Sequence, residues 1–301
     1  MDKSLILDHV KKVNEYNRMN PEAVVEIDAL LEKIFADEDF AAKVEELFVG
    51  FCNGTDYQRE PIFALAAEKG VSQDMLVLLI CEIWSIHTKQ IYVNRGWGEE
   101  LFWDQILDIS IWADMCHRLY GHWGLREFGW IKASLHGQII RLGRLQFEII
   151  TMTADELPVV INGVEIKKGC RAINMHIPEG DSITKEKRLD SYKKAYDFFR
   201  QTGNAVFTCG SWLLCKDHEK FLPETSNIRD FMKDFRLLHW HSGNNDLYRV
   251  FGRAWNTYNG DLDKLPYNTG LQRAYVDWLR QGGSGGESLG VFVFDGENIY
   301  N

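Results

Sequence analysis

The chain has 301 residues, a formal net charge of −10 and 45% hydrophobic residues, including ten Trp and seventeen Phe. Such an apolar fraction builds a sizeable core, and only six Pro leave little room for disordered linkers, so a disordered chain is excluded. The acidic balance argues against a surface that neutralises phosphate backbones, and nucleic acid is not an expected partner.

At this length two domains are expected, since a domain takes roughly 150 residues. The first residues carry no long apolar core behind a basic patch, and no run reaches the roughly 20 apolar residues of a membrane span. A cytoplasmic location with no membrane partner is therefore expected. Cys52, Cys81, Cys116, Cys170, Cys209 and Cys215 stand singly with no C-x-x-C pair, which points to reduced core thiols.

Residues 4–17 form the first amphipathic segment. Pro21 opens a second through 34, and Asp37 caps a third through 51, which Asn53-Gly54 stops. A short helix at 61–69 closes at Gly70. Ser72 then caps a long one through 93, with a stripe of Leu76, Leu79, Ile80, Ile83, Trp84 and His87. Residues 99–120 follow, with Phe102, Ile106, Ile109, Ala113 and Cys116 on one side. Several glycines fall between 121 and 129, and beyond them the hydrophobic period changes from 3.6 to 2. The boundary is placed there, giving a helical domain at 1–125 and a mixed α/β domain at 126–301, an α+β chain overall.

In the second half, 137–142 and 144–149 read as short strands around Gly143. Leu145, Phe147 and Ile149 face the core, while Arg144, Gln146 and Glu148 share the other face. Asn162-Gly163 marks a hairpin. Residues 170–177 alternate, with Ile173, Met175 and Ile177 on one face and Ala172, Asn174 and His176 on the other. Pro178-Glu179-Gly180 breaks that strand, Thr184 caps a helix through Arg200, and 205–212 is a nearly unbroken apolar strand. This strand–loop–helix–strand unit wants a right-handed crossover, and it sets a helix N-terminus, which favours an anion, at the end of its first strand. Short helices at 216–221 and 228–234, a strand at 235–241, helices at 248–255 and 271–279, a flexible glycine-rich connection at 282–286 and a last strand at 289–294 complete the chain.

Several stretches together carry a resemblance: Arg141-Leu-Gly-Arg-Leu-Gln-Phe-Glu148, His176-Ile-Pro-Glu-Gly180, Thr208-Cys-Gly-Ser-Trp-Leu-Leu214, Ser226-Asn227-Ile228, Thr269-Gly-Leu-Gln-Arg-Ala274 and Gly290-Val-Phe-Val-Phe294. Over nearly its whole length the chain resembles a bacterial family with a helical N-acyltransferase N-terminal domain and a GNAT-like C-terminal domain. The resemblance implies transfer of an acyl group from acyl-CoA, as co-substrate, to a small amine. Two departures stand out. The glycine-rich pyrophosphate signature is replaced by Pro178-Glu-Gly-Asp181, and Gly210 stands where a His is expected in relatives.

Acyl transfer from a thioester needs an unprotonated amine, donors at the developing oxyanion and a proton for the leaving thiolate. Glu148 is the candidate base; its plainer reading is an ion pair with Arg144 on a solvated strand face. His176 is the candidate second proton carrier or, more plainly, a packed strand histidine. Ser211 and Cys209 share a strand face and can donate a proton or hydrogen bond, or simply pack. Ile177, Gly180, Lys185 and Lys187 are the candidate CoA contacts, and Arg144, Gln146, Cys209 and Asn227 the candidate acceptor contacts. His239-Trp240-His241 sets two imidazoles on one side of a strand. With no carboxylate or Cys at a matching short spacing, no metal is expected. The alternative to an enzyme is a non-catalytic protein that binds acyl-CoA or another small ligand, and the oligomeric state is open.

Overall fold

The computed structural model describes residues 2–54 and 58–301. The chain divides into two compact units, Met1–Ile140 and Arg141–Asn301.

In the first unit, α1 (Lys3–Asn17), α2 (Pro21–Ala36), α3 (Glu38–Cys52), α4 (Glu60–Lys69), α5 (Gln73–Asn94), α6 (Glu99–Tyr120) and α7 (Phe128–Leu135) follow in order. The side chains of Asp2, Asn20, Asp37 and Ser72 accept hydrogen bonds from the first-turn N–H groups of α1, α2, α3 and α5, so short-range capping chemistry sets where these helices begin. α5 is the axis of the unit and packs against each of the other six. It is long and apolar enough to cross a membrane, yet 67% of that window is buried inside the protein. That is the pattern of a core helix apolar all round.

The domain boundary falls later than the change of period suggests. α7 packs on α5 and α6, burying Ile131 and Leu135, and Thr88 Oγ1 donates to the Leu135 carbonyl at 2.8 Å. Glycines at 121–129 thus mark a turn inside the helical unit, and the division lies at 140/141 instead of 125/126.

The second unit contains β1 (Ile140–Leu142), β2 (Leu145–Thr151), β3 (Val159–Ile161), β4 (Val164–Ile166), β5 (Arg171–His176), α8 (Lys185–Phe198), β6 (Ala205–Ser211), α9 (His218–Phe221), α10 (Asn227–Met232), β7 (Arg236–Ser242), α11 (Tyr248–Phe251), α12 (Arg253–Thr257), α13 (Gly270–Arg280), β8 (Gly286–Phe294) and β9 (Ile299–Tyr300). One sheet runs β1-β2-β5-β6-β8-β7 with β9 beside β8, and β3 and β4 form a separate hairpin. β5 and β6 are parallel, joined through α8.

Under one sheet face, Tyr192 of α8 packs on Phe207 and Phe292, whose rings stack at 5.0 Å. The β3–β4 hairpin covers part of the opposite face, through Leu157, Ile161 and Ile166 against Ala172, Val291 and Val293. The expected helix at 248–255 breaks into α11 and α12 because Gly252 takes φ 60°. The glycine-rich connection is not a loose tether. A Cβ at Gly283 would lie 2.1 Å from the Trp278 ring and one at Gly286 2.7 Å from the His241 carbonyl, so glycine is there because neighbours come too close for a side chain.

Candidate active site

The sheet opens where its two parallel strands meet. β2 pairs with β5 all the way from Thr151↔Arg171 to Gln146↔His176, and β6 with β8 from Ala205↔Phe294 to Ser211↔Ser288. Between β5 and β6 the registered pairs are only Ile173↔Phe207 and Asn174↔Thr208. Beyond them the strands continue separately, β5 to His176 and β6 to Ser211. A crevice at the carboxyl ends of parallel strands is where open α/β sheets place their ligands.

On the face bordering that opening, Glu148 lies directly opposite Asn174, and Gln146 opposite His176. Residues two apart on neighbouring strands share a face, and the pleat therefore gathers these four. His176 Nε2 lies 2.8 Å from Glu148 Oε1, to which Asn174 Nδ2 donates at 3.1 Å. The bond from His176 holds the Glu148 carboxyl below its usual range, against an opposing push from burial, with Asn174 adding to the lowering. A carboxylate oxygen accepts hydrogen bonds, so Nε2 is the ring nitrogen that donates to Glu148. Asn174 is the site residue that sequence reading placed on the right face but gave no role. The signal was its i−2 spacing from His176.

Arg144 does not pair with Glu148. Its Nε donates to the Asp181 carbonyl at 2.6 Å, and burial pushes its guanidinium down to about 10. The turn after β5 is thereby pinned from two sides, since Arg188 Nη1 donates to the Ile183 carbonyl at 3.3 Å. Within this turn Ile177 is half-buried, and Gly180 has φ +110° with nothing among the described residues within 4 Å of where a Cβ would stand. Thr184 gives α8 no side-chain cap. Lys185 is exposed, whereas Lys187 is paired with Asp181, whose Oδ1 also accepts from the Ser182 N–H at 2.8 Å.

Three expected site residues lie elsewhere. Cys209 is buried on the opposite sheet face, where burial pushes its thiol up to about 12. Ser211 shares that face, and its Oγ accepts from the Leu213 N–H at 3.1 Å, capping a 3-10 turn. Asn227 is exposed on the first residue of α10, a helix that packs against α8. Gly210, by contrast, alternates onto the Glu148 face and is exposed.

For a metal, ligand atoms of Asp74, Cys116 and His122 in the first unit lie within 4.8 Å of one another. Arg126 Nε lies 3.5 Å from Asp74 Oδ2, however, and the Cys116 thiol is pushed up to about 12, first by burial and then by Asp74. A guanidinium already supplies the positive charge, and the group is an ion-pair cluster.

Residues 139–292 match the GNAT-like C-terminal domain and residues 8–137 the N-acyltransferase N-terminal domain. The chain belongs to the family that joins these two domains. No curated protein sequence matches it significantly. Among solved structures it is similar to an acyltransferase mutant in complex with octanoyl-CoA, with TM-score 0.70 and 21% identity over 94% of this chain and 87% of that one. An acyltransferase in complex with decanoyl-CoA and teicoplanin gives TM-score 0.68 and 20% identity with the same coverage. An acyltransferase in complex with CoA and 10C-Teicoplanin gives 0.64 and 21% over 97% of this chain and 99% of that one. At these identities the likeness is one of fold.

Proposed function

We propose that the protein is an acyl-CoA-dependent N-acyltransferase in which Glu148 and His176 act as one proton-accepting unit. The observation that carries this reading is the 2.8 Å Glu148–His176 contact beside the divergence of β5 and β6. The acceptor amine attacks the thioester carbonyl, a C–N bond forms and the C–S bond breaks. The amine proton passes to His176 or Glu148, and CoA leaves as a thiolate that takes up a proton. Glu148 orients the imidazole and stabilises its charged form, the role a carboxylate plays behind a catalytic histidine. Acyl-CoA as co-substrate is supported by the octanoyl-CoA and decanoyl-CoA held by the similar acyltransferases, and an amine acceptor by the family. A small amine is the acceptor size proposed; two of the similar proteins hold teicoplanin or 10C-Teicoplanin, a glycopeptide, so the acceptor panel runs from simple amines to glycopeptides.

Free-thiol release from octanoyl-CoA tests the proposal. Amine-dependent release in the wild type, lost in Glu148→Gln with CoA affinity kept, supports it; tight acyl-CoA binding without turnover for any amine replaces it with a binding protein. One observation favours that second reading: Asp181 itself takes Lys187 and the Ser182 N–H, so a carboxylate sits where a pyrophosphate would need these donors. Hydrogen-exchange protection at 179–188 on adding acetyl-CoA would place the pyrophosphate at this turn, and protection confined to 282–290 would remove it from there.

A further inference from the structure

His239 and His241 sit two residues apart on β7, opposite Leu289 and Glu287 of β8. Their spacing alone gave no reason to expect a metal, because the sequence nearby holds no further ligand. The fold brings carboxylates from elsewhere. Glu156, from the segment between β2 and β3, lies 2.7 Å from His239 Nδ1, and Glu287 lies 2.8 Å from His241 Nε2. The two remaining ring nitrogens, His239 Nε2 and His241 Nδ1, face each other at 3.2 Å.

Hydrogen-bond chemistry constrains what can lie between them. A carboxylate oxygen accepts, so in both pairs the outer ring nitrogen is the one that donates its N–H. A neutral imidazole has one N–H, and both inner nitrogens then present lone pairs to each other. Such a contact needs a cation: a proton, or a metal ion. A metal about 2.05 Å from each nitrogen would subtend about 103° across this gap, close to the tetrahedral angle. Imidazole ligands select zinc, nickel and copper over magnesium or calcium. Carboxylates on the far nitrogens are the supports that orient metal-binding histidines and raise their basicity. Both side chains are about half exposed, 48% and 54%, so an ion can reach them. No guanidinium is seen paired with Glu156 or Glu287 among the described residues, in contrast to the Arg126 beside Asp74.

We propose that His239 and His241 form a two-histidine site for one divalent late transition ion, Zn²⁺, Ni²⁺ or Cu²⁺, braced by Glu156 and Glu287. Two protein ligands leave positions open to water or a small ligand. The proposal is independent of the acyl-transfer reading, and its test does not use turnover.

Tag-free protein stripped with EDTA is titrated with ZnCl₂ by calorimetry and with Cu²⁺ by electron paramagnetic resonance. Expected is one saturable Zn²⁺ equivalent in the wild type, weakened at least about tenfold by His239→Ala or His241→Ala and about 10- to 100-fold by Glu156→Gln. Asp74→Asn should leave it unchanged. The Cu²⁺ spectrum should show coupling to two nitrogens in the wild type and fewer in each single variant. Thermal melts confirm that these exposed-site variants fold. Absence of saturable Zn²⁺ binding, binding kept in the double His239→Ala/His241→Ala protein, or loss on Asp74→Asn would each overturn the assignment; the first would leave a shared proton as the bridging cation.

Discussion

Each unit contains a carboxylate–imidazole contact of 2.8 Å, Asp74–His122 in the helical unit and Glu148–His176 in the sheet unit. The difference lies in their surroundings. Asp74 sits in the first turn of α5, where the helix dipole already favours its charge, and Arg126 approaches it within 3.5 Å. His122 is 46% exposed, against 20% for His176. One carboxylate is saturated with positive charge, while the other has Asn174 and His176 to answer it and stands beside the opening of a sheet. Same distance and same chemistry therefore support different roles. Buried acids repeat the contrast: both oxygens of Glu82 in α5 have no hydrogen-bond partner among the described residues, whereas Asp234 accepts from Arg188 Nε at 2.6 Å and from the Tyr192 hydroxyl at 3.1 Å.

The largest effect expected from breaking this comparison is on rate. Glu148→Gln should keep the fold and lower kcat by about 10²–10⁴, the range of general acid–base catalysis, and His176→Gln, which removes the ring that Glu148 supports, should lower it at least as much. Steady-state kinetics decides; full activity in Glu148→Gln at neutral pH returns this pair to the same structural status as Asp74–His122. The loss should shrink as pH rises, because more of the amine is already unprotonated.

Next in size is the support beneath the sheet. Arg188→Met strands Asp230 and Asp234 and frees the Ile183 carbonyl, so chemical denaturation should show a loss of about 3–5 kcal/mol. Glu82→Leu should act in the opposite direction and stabilise by about 1–3 kcal/mol, since removing an unpartnered buried acid removes its desolvation cost. Burial raises the Glu82 carboxyl well above its usual 4.5. The folded protein therefore keeps a proton that the unfolded chain releases as pH climbs past about 4.5, and stability falls with rising pH until the folded group ionises. Glu82→Leu should flatten that slope, and an unchanged slope would show the carboxyl to be solvated. The smallest effect belongs to Asp74→Asn, with under about 1 kcal/mol of stability lost and kcat kept within about threefold, as for a partly exposed ion pair.

What the residues determined by themselves is local. Caps at Asp37 and Ser72, the alternation of Leu145, Phe147 and Ile149, the Asn162-Gly163 turn and the run from Ala205 to Ser211 depend on neighbours a few positions away, and each produced its element. Glu148 and His176 were legible for the same reason, because strand alternation puts both away from the apolar face. Contacts between distant segments were not legible. Arg144 turns to the Asp181 carbonyl 37 residues on, so its expected pairing with Glu148 does not form. Ser211 and Cys209 were placed correctly on one face, but only the packing of α8 makes that the covered face. Glycines at 282–286 read as flexibility until Trp278 and His241 are seen against them. His239 and His241 read as an isolated pair until a carboxylate arrives from Glu156, 83 positions away. Backbone periodicity is short-ranged and written along the chain, whereas the partner of a charge is chosen by whichever group the completed fold brings within about 3 Å.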